Sequence, residues 1–436
     1  QLGDTVRAEA DWQKVLELTP DDSLVRLQHA LWHAQRGEQD KADADMARAE
    51  SLRPTPGCEL DLAETRTALG WLYWDRDRRA EAHRLWQAAL PDLHQVALKS
   101  AADQAIQGRV ASSEREICRQ YAALGLWDLA AAYPIHNAEL KRVTAYANDA
   151  QFASLLAAMG HQEAWQDYCQ YVVRQLVENP SDKQPGLHIV RTSCLFDPAA
   201  VDAVQCITLA SESVASNPAE SRRWYWPEVS LAMAQCRARR YGDALKTLEG
   251  DPVDSSWQSD TAYGGRLCAG YVYALAAHGD GRSENALKRL QRTEDLYQTM
   301  LSSSLAMDRK ELPGNFDQYP WNLAVAQVLR HEAWQKIKSQ APPDDAWWHL
   351  IQARGYGLIG ESDRAEKEFA VAVAAAPGDP EVWITRARVF EQLGETARAE
   401  ADRKKAAELG AGKEAHGVGG KEGSEEPKGA HRAPYD

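Results

Sequence analysis

The residues of this chain that could do chemistry form only incomplete versions of known catalytic motifs. His331 and Glu332 begin a zinc-peptidase helix signature, but Gln335 stands where that signature needs a second histidine. Residues 279–281 read Gly-Asp-Gly without the third glycine of a dinucleotide-binding turn, and residues 420–422 read Gly-Lys-Glu, where a phosphate loop needs a hydroxyl residue. The kinase catalytic-loop and metal-binding triplets are also absent. The sequence therefore predicts a protein that is not an enzyme and has no cofactor and no metal.

The cysteines favour free thiols over a disulfide framework. There are seven, an odd number, and their spacing is irregular, without a Cys-x-x-Cys pair. Such a pattern is typical of buried thiols in a reducing compartment. No signal peptide is recognisable, and no apolar run is long enough to span a bilayer. We therefore expect a cytoplasmic protein.

The charge balance restricts the class of partner. With 50 basic and 64 acidic side chains, the formal net charge is -14. Nucleic acids and anionic membranes are bound by basic surfaces. The composition therefore argues against both and leaves a protein or peptide as the expected partner. The sequence does not predict the oligomeric state.

The 15 tryptophans have two interpretations. They cluster at residues 224–226 and at Trp347 and Trp348. One interpretation is packing between helices, and the other is an aromatic cage for a ligand. Because aromatic side chains dominate the energetics of protein cores, packing is the favoured interpretation.

One pattern occurs twice between residues 345 and 409, at a spacing of 34 residues. Five positions hold a small or an aromatic residue in both copies. The pairs are Ala353 and Ala387, Tyr356 and Phe390, Gly360 and Gly394, Ala365 and Ala399, and Ala372 and Ala406. Residues three and four apart share a helix face, so each copy predicts two apolar helix stripes. The glycine ends the first helix, and Pro377 stops the second. The small alanines let paired helices approach closely.

Similar spacing occurs near the N-terminus, where residues 3, 8 and 20 recur as the same types at residues 37, 42 and 54. A further unit runs from Leu69 to Trp86. This pattern resembles the tetratricopeptide repeat. The resemblance implies an all-α, right-handed superhelical solenoid of antiparallel helix pairs, each contacting only its neighbours, that binds another chain in its concave groove. Gly3 stands where a first helix should already have ended, so we expect the chain to be part of something longer.

In this family the first helix of each unit lines the concave groove. The resemblance therefore implies a set of groove residues in the first and last units: Trp71, Trp74, Trp347, Leu350, Arg354, Ile384 and Arg388. Because guanidinium groups suit carboxylate and phosphate oxygens, Arg354 and Arg388 predict an acidic or phosphorylated segment as the ligand. The alternative is that both arginines are solvated or paired locally, for example with Glu391.

We predict five segments along the chain. Tetratricopeptide repeats, the first one truncated, occupy residues 1–94, and Pro91 closes the last of them. Degenerate helical repeats follow at 95–182 and 183–340, and a second repeat pair occupies 341–409. In the second degenerate segment, Asp197 caps a helix that begins at Pro198, and residues 302–319 form a polar loop. Residues 410–436 are too polar to bury a core, so we expect them to be disordered.

A second resemblance covers residues 113–337. It depends on the order of short segments, and these read as follows: Ala123–Ala130, Leu155–Gly160, Tyr168–Tyr171, Arg191–Pro198, Leu209–Glu212, Arg240–Leu245 and Leu329–Ala333. This order resembles the helical C-terminal region of large bacterial serine/threonine protein kinases, and of related proteins with WD40 propellers. The resemblance implies an alternative function, a regulatory or substrate-recruiting region whose kinase domain lies upstream.

Overall fold

The structure is a computed structural model. It describes residues 2–52, 57–139, 149–178, 190, 193–196, 199–216, 226–249, 263–306 and 320–417. Every regular element in these ranges is a helix, and none is a strand. The all-α prediction is therefore confirmed.

Twenty helices occur in the described ranges. The first ten are α1 (Leu2–Leu18), α2 (Ser23–Gln35), α3 (Gln39–Glu50), α4 (Glu59–Asp75), α5 (Arg79–Lys99), α6 (Gln104–Ala123), α7 (Trp127–Ala130), α8 (Ala132–Glu139), α9 (Asp149–Ala158) and α10 (Gln162–Glu178). The others are α11 (Ala203–Ser216), α12 (Trp226–Arg237), α13 (Tyr241–Thr247), α14 (Tyr263–Gly279), α15 (Ser283–Ala306), α16 (Pro320–Lys338), α17 (Ala346–Leu358), α18 (Ser362–Ala375), α19 (Pro380–Gln392) and α20 (Thr396–Gly417).

Successive helices pack as antiparallel pairs joined by short turns. The pairs include α2 with α3, α4 with α5, α9 with α10, α14 with α15, α17 with α18, and α19 with α20. Five of these six turns hold a glycine with φ between 78° and 83°. Side chains with a Cβ rarely adopt that conformation, so glycine ends these helices at least cost. The turn between α4 and α5 uses Asp77 instead, at φ 63°, a conformation that aspartate tolerates.

The C-terminal pairs have the packing that the 34-residue period predicts. The four repeat alanines, at positions 353, 365, 387 and 399, are all buried between helices. Phe369 of α18 and Phe390 of α19 lie with their ring centroids 4.6 Å apart. The small residues therefore set the close approach of the helices, and the aromatic rings fill the space beside them.

Two proline-based predictions of helix ends are wrong. Helix α5 continues through Pro91 to Lys99, so it also crosses the predicted segment boundary at residues 94 and 95. Leu93 and Ala97 beyond the proline are buried in one cluster with Val110. We infer that this burial outweighs the cost of about 3 kcal/mol for a proline inside a helix.

The second wrong prediction concerns the start of α11, because residues 199–202 are not helical and the helix begins at Ala203. The Asp202 carboxylate accepts a hydrogen bond from the Gln205 backbone N–H at 3.1 Å and so caps this helix. Asp197 and Pro198, where a cap and helix start were predicted, lie outside the described residues.

Two predicted irregular segments begin as helix. Helix α15 extends to Ala306, into the predicted polar loop, because Leu301 and Leu305 continue its buried face. Helix α20 extends to Gly417, eight residues into the predicted disordered tail, through alanine, lysine and glutamate, which favour helix. The rest of both segments lies outside the described residues.

The chain folds back on itself, so α17 and α18 pack against elements more than 200 residues earlier. Tyr356 donates a hydrogen bond from Oη to Asp128 Oδ1 at 2.7 Å, and Arg364 pairs with the same carboxylate. The rings of Trp127 and Trp348 lie 4.5 Å apart. The expectation that each unit contacts only its sequence neighbours is therefore wrong here. We call this contact, between His83 and residues 121–128 on one side and residues 348–364 on the other, the junction.

A glycine allows the close approach at the junction. A Cβ atom on Gly355 would lie 2.7 Å from the backbone oxygen of Leu124 and 2.9 Å from Cδ2 of Leu126. His83 of α5 adds a polar bridge, with Nδ1 2.9 Å from Tyr121 Oη and Nε2 3.2 Å from Glu361 Oε1. The junction therefore joins α5, α6 and the C-terminal repeats.

We expect Gly355→Ala to lower the free energy of unfolding by about 1–3 kcal/mol, because the added methyl group overpacks against backbone that cannot move aside. The matched control is Gly108→Ala in α6, where a Cβ would meet nothing within 4 Å. Both substitutions replace a helical glycine by alanine. That replacement by itself stabilises a helix by about 1 kcal/mol. Urea denaturation gives the free energy of unfolding of both variants. Equal stabilisation of the two would contradict the close contact between Gly355 and Leu124.

The junction also predicts a pH dependence through His83. Burial lowers the pKa of this imidazole, so the folded chain favours its neutral form. Unfolded histidine titrates near pH 6.5, so the unfolded chain binds more protons just below that pH. The stability that His83 contributes is present above about pH 6.5 and is lost as the pH falls through its folded pKa. Urea denaturation between pH 7.5 and 5.5 should show a steeper loss for the wild type than for His83→Gln, and parallel curves would contradict this.

Candidate partner-binding surfaces

The two predicted groove tryptophans of the N-terminal unit pack inside the protein. Trp74 is buried, and Trp71 is half-buried. Their ring centroids lie 4.9 and 5.3 Å from that of Trp86 on α5, respectively. The Trp86 ring fits against α4 because residue 70 is glycine. A Cβ atom on Gly70 would lie 2.2 Å from the indole nitrogen of Trp86. This cluster fits helix packing, the favoured interpretation, rather than a ligand cage.

The C-terminal groove is the surface predicted from Trp347, Leu350, Arg354, Ile384 and Arg388. Leu350 is fully buried, and Arg354 is 1% exposed. Trp347 and Ile384 are half-buried, and Arg388 is exposed. Of its two arginines, therefore, only Arg388 can meet a partner from solvent, and the proposed role of Arg354 as a groove contact does not fit its burial.

Helix α15 covers part of the predicted groove. It packs against both α17 and α19, the two helices that would line an open groove. On this side, Gln298 of α15 donates from Nε2 to Asp345 Oδ2 at 3.1 Å, and the same carboxylate caps α17 through the backbone N–H of Trp347 at 3.0 Å. Part of the surface that α17 and α19 would share is therefore covered by α15.

Arg388 differs from its neighbours on α19 in its electrostatic surroundings. Arg386 forms a two-bonded ion pair with Asp402, at 2.7 and 2.6 Å. Glu391, the predicted local partner of Arg388, is paired with Arg403. Within the described ranges Arg388 has no ion pair, so its guanidinium is available to an acidic group of another molecule.

A second surface was missed by the sequence reasoning. Helices α1, α2 and α3 line an open cleft of about 420 Å³, which we call the N-terminal cleft. Its polar lining includes Glu9 of α1, His29 and His33 of α2, and Asp45 of α3. The signal that could have found it is the spacing of the histidines, since residues four apart lie on one helix face.

The N-terminal cleft places buried histidines beside carboxylates. His29 Nδ1 lies 2.6 Å from Asp45 Oδ2, without hydrogen-bond alignment, and His33 Nδ1 lies 2.8 Å from Glu38 Oε2. Burial lowers the pKa of His29. Hydrogen bonds, first from Lys41, lower the pKa of Glu38 to about 2, so this carboxylate is ionised at neutral pH. Burial therefore favours the neutral imidazole form of His29.

The cysteines are free and mostly buried. All seven thiols are free, and all except the half-buried Cys58 are buried, as predicted. Burial raises the pKa of Cys169 and of Cys236 to about 12. A thiol with so high a pKa holds almost no thiolate at neutral pH, so these two residues are not activated nucleophiles.

Comparison with known proteins adds little to these observations. No known family model matches the sequence, and no curated protein matches it. Among solved structures, the crystal structure of yeast Tom70 aligns over 91% of this chain and 80% of its own, with 12% sequence identity and a TM-score of 0.22. A likeness at that TM-score carries no argument, so the fold assignment rests on the helix pairs themselves. They fit a tetratricopeptide-like protein, whereas the kinase-region resemblance stays a prediction.

The helices were also compared with the requirements of a membrane span. Within the described part of the chain, no helix combines the length and the apolar character that crossing a bilayer requires.

Charge reversal should lower the stability of the fold at Arg354 but leave it nearly unchanged at Arg388. Arg354→Glu should destabilise the fold by about 3 kcal/mol or more, because it reverses a charge inside the protein. Arg388→Glu should change the free energy of unfolding by no more than about 0.5 kcal/mol, because its side chain is exposed. Thermal denaturation followed by circular dichroism compares them, and equal melting temperatures for the two variants would place Arg354 at the surface after all.

Proposed function

We propose that this chain is a non-catalytic scaffold that binds a protein or peptide partner at the open part of the C-terminal groove, around Ile384 and Arg388. The observation that carries the proposal is the pairing of these residues on α19. They lie one helical turn apart, one half-buried and apolar, the other exposed and without an ion pair among the described residues. Such a surface offers an apolar contact next to a charged one.

The chemistry of Arg388 favours an acidic or phosphorylated segment as the partner. Guanidinium groups bind carboxylate and phosphate oxygens through paired hydrogen bonds. The apolar contact would come from Ile384 and from the exposed part of Trp347 on α17. The sequence suggested two charge-assisted contacts, but Arg354 is buried, so only the contact of Arg388 remains. One such contact contributes about 1.5–3 kcal/mol to binding.

The alternative function is the regulatory or substrate-recruiting region of a serine/threonine protein kinase. It is supported by the segment order in residues 113–337, and it would use a binding surface of the same kind. An open reading frame that continues upstream into a kinase domain would favour this alternative.

The test is charge reversal at Arg388, measured against a partner captured with the full chain and then purified. Arg388→Glu should weaken binding by about tenfold or more, which is the loss of one charge-assisted contact. The matched control is Lys404→Glu, which makes the same change of charge at an exposed position of α20. Unchanged affinity of Arg388→Glu, or an equal loss for Lys404→Glu, would contradict the proposed surface.

A further inference from the structure

We propose that the N-terminal cleft holds a divalent transition-metal ion, Zn²⁺ by its ligand set, bound by His29, His33 and Glu9. Each of these residues offers one ligand atom, and the three atoms all lie within 4.8 Å of one another. Two imidazoles and a carboxylate form a common ligand set of zinc in proteins, and imidazole selects against Mg²⁺ and Ca²⁺. This site is separate from the surface around Arg388.

Asp45 is placed to complete the coordination. Its Oδ2 lies 3.9 Å from His33 Nε2 and 2.6 Å from His29 Nδ1. Two ligands of a tetrahedral zinc ion, each about 2.0–2.1 Å from the metal, are about 3.3–3.4 Å apart. To join the coordination, the Asp45 carboxylate would move about half an ångström closer to His33 Nε2 and farther than its present 2.6 Å from His29 Nδ1.

The outer contacts of the histidines match those of metal ligands. His33 Nδ1 lies 2.8 Å from Glu38 Oε2, and Glu38 is itself held by Arg36 and Lys41, each at 2.9 Å. A histidine that donates from Nδ1 to a carboxylate has the lone pair of Nε2 available for a metal. His29 is 3% exposed, and its Nε2 has no hydrogen-bond partner among the described residues. A bound cation would satisfy this buried nitrogen.

The proposed ligands come from three helices. Glu9 lies on α1, the two histidines lie on α2, and Asp45 lies on α3. Helix α1 leaves two large apolar side chains, Val6 and Leu18, more than 70% exposed, so apolar burial holds it only in part. The metal would therefore act as a structural clamp that fixes α1 to the first helix pair.

A second histidine cluster has a geometry less suited to a metal. His94, Glu114 and His136 also lie close together, but the two imidazole rings stack at 3.9 Å with an angle of 27° between them. Nitrogen lone pairs lie in the ring planes, so those of nearly parallel stacked rings do not converge on one point. The proposal is therefore confined to the N-terminal cleft.

The test is metal binding by the full chain after chelation and dialysis, with Zn²⁺ followed by calorimetry and Co²⁺ by its visible absorption. We expect one equivalent of Zn²⁺ per chain and the intense d–d bands of tetrahedral Co²⁺. Glu9→Gln and the double variant His29→Gln/His33→Gln should both weaken binding at least tenfold, and Glu38→Gln should weaken it about 10–100-fold. His278→Gln, a histidine outside both clusters, is the matched control and should bind as the wild type does.

Several outcomes would overturn the site. These are no binding of Zn²⁺ at micromolar concentration by the wild type, wild-type affinity in Glu9→Gln, or an equal loss in His278→Gln. Because Glu9 is only half-buried, Glu9→Gln tests the site even where the double histidine variant fails to fold. Far-ultraviolet circular dichroism of each metal-free variant shows which case applies.

Discussion

The close backbone approach at Gly355 is the constraint on which the rest of the architecture depends. Helix α17 can reach the backbone oxygen of Leu124 only because residue 355 has no side chain. That approach brings Tyr356 within hydrogen-bond distance of Asp128 and sets the Trp348 ring against Trp127. The junction therefore converts what would be a linear array of helix pairs into a chain whose C-terminal repeats pack on its N-terminal half. Stability is then shared between distant units rather than only between neighbours.

This closure decides which surfaces remain open to a partner. In the first C-terminal unit, Leu350 and Arg354 are core residues, whereas Ile384 and Arg388 of the second unit stay at least partly exposed. The same register position therefore has opposite roles in the two units, as Arg354 is buried and Arg388 is exposed. At the other end, α1 packs incompletely, and the N-terminal cleft with its two buried histidines lies between it and the first helix pair. The proposed functions lie at these two ends.

The sequence predicted what depends on local periodicity and missed what depends on distant contacts. The turn at Gly360 and the buried Ala353 follow from residues within one repeat, and both predictions are confirmed. The bond between Tyr356 and Asp128 spans 228 positions, and no period or cap in one sequence indicates such a pairing. The burial of Arg354 also escaped prediction, because the repeat pattern describes one unit and not the elements that pack on it. Pro91 shows a different failure, in which buried contacts override a local helix-breaking preference.

The most direct measurement of the central claim is a double-mutant cycle across the junction, with Asp128→Ala and Tyr356→Phe made singly and together. Residues in direct contact show coupling energies of about 0.5–3 kcal/mol, whereas distant residues add within about 0.3–0.5 kcal/mol. Urea denaturation of the four proteins gives the coupling. The closed architecture predicts a coupling of about 1 kcal/mol, the net contribution of one hydrogen bond that both single variants remove. Strict additivity in folded variants would contradict it and would favour an open array in which residues 128 and 356 never meet.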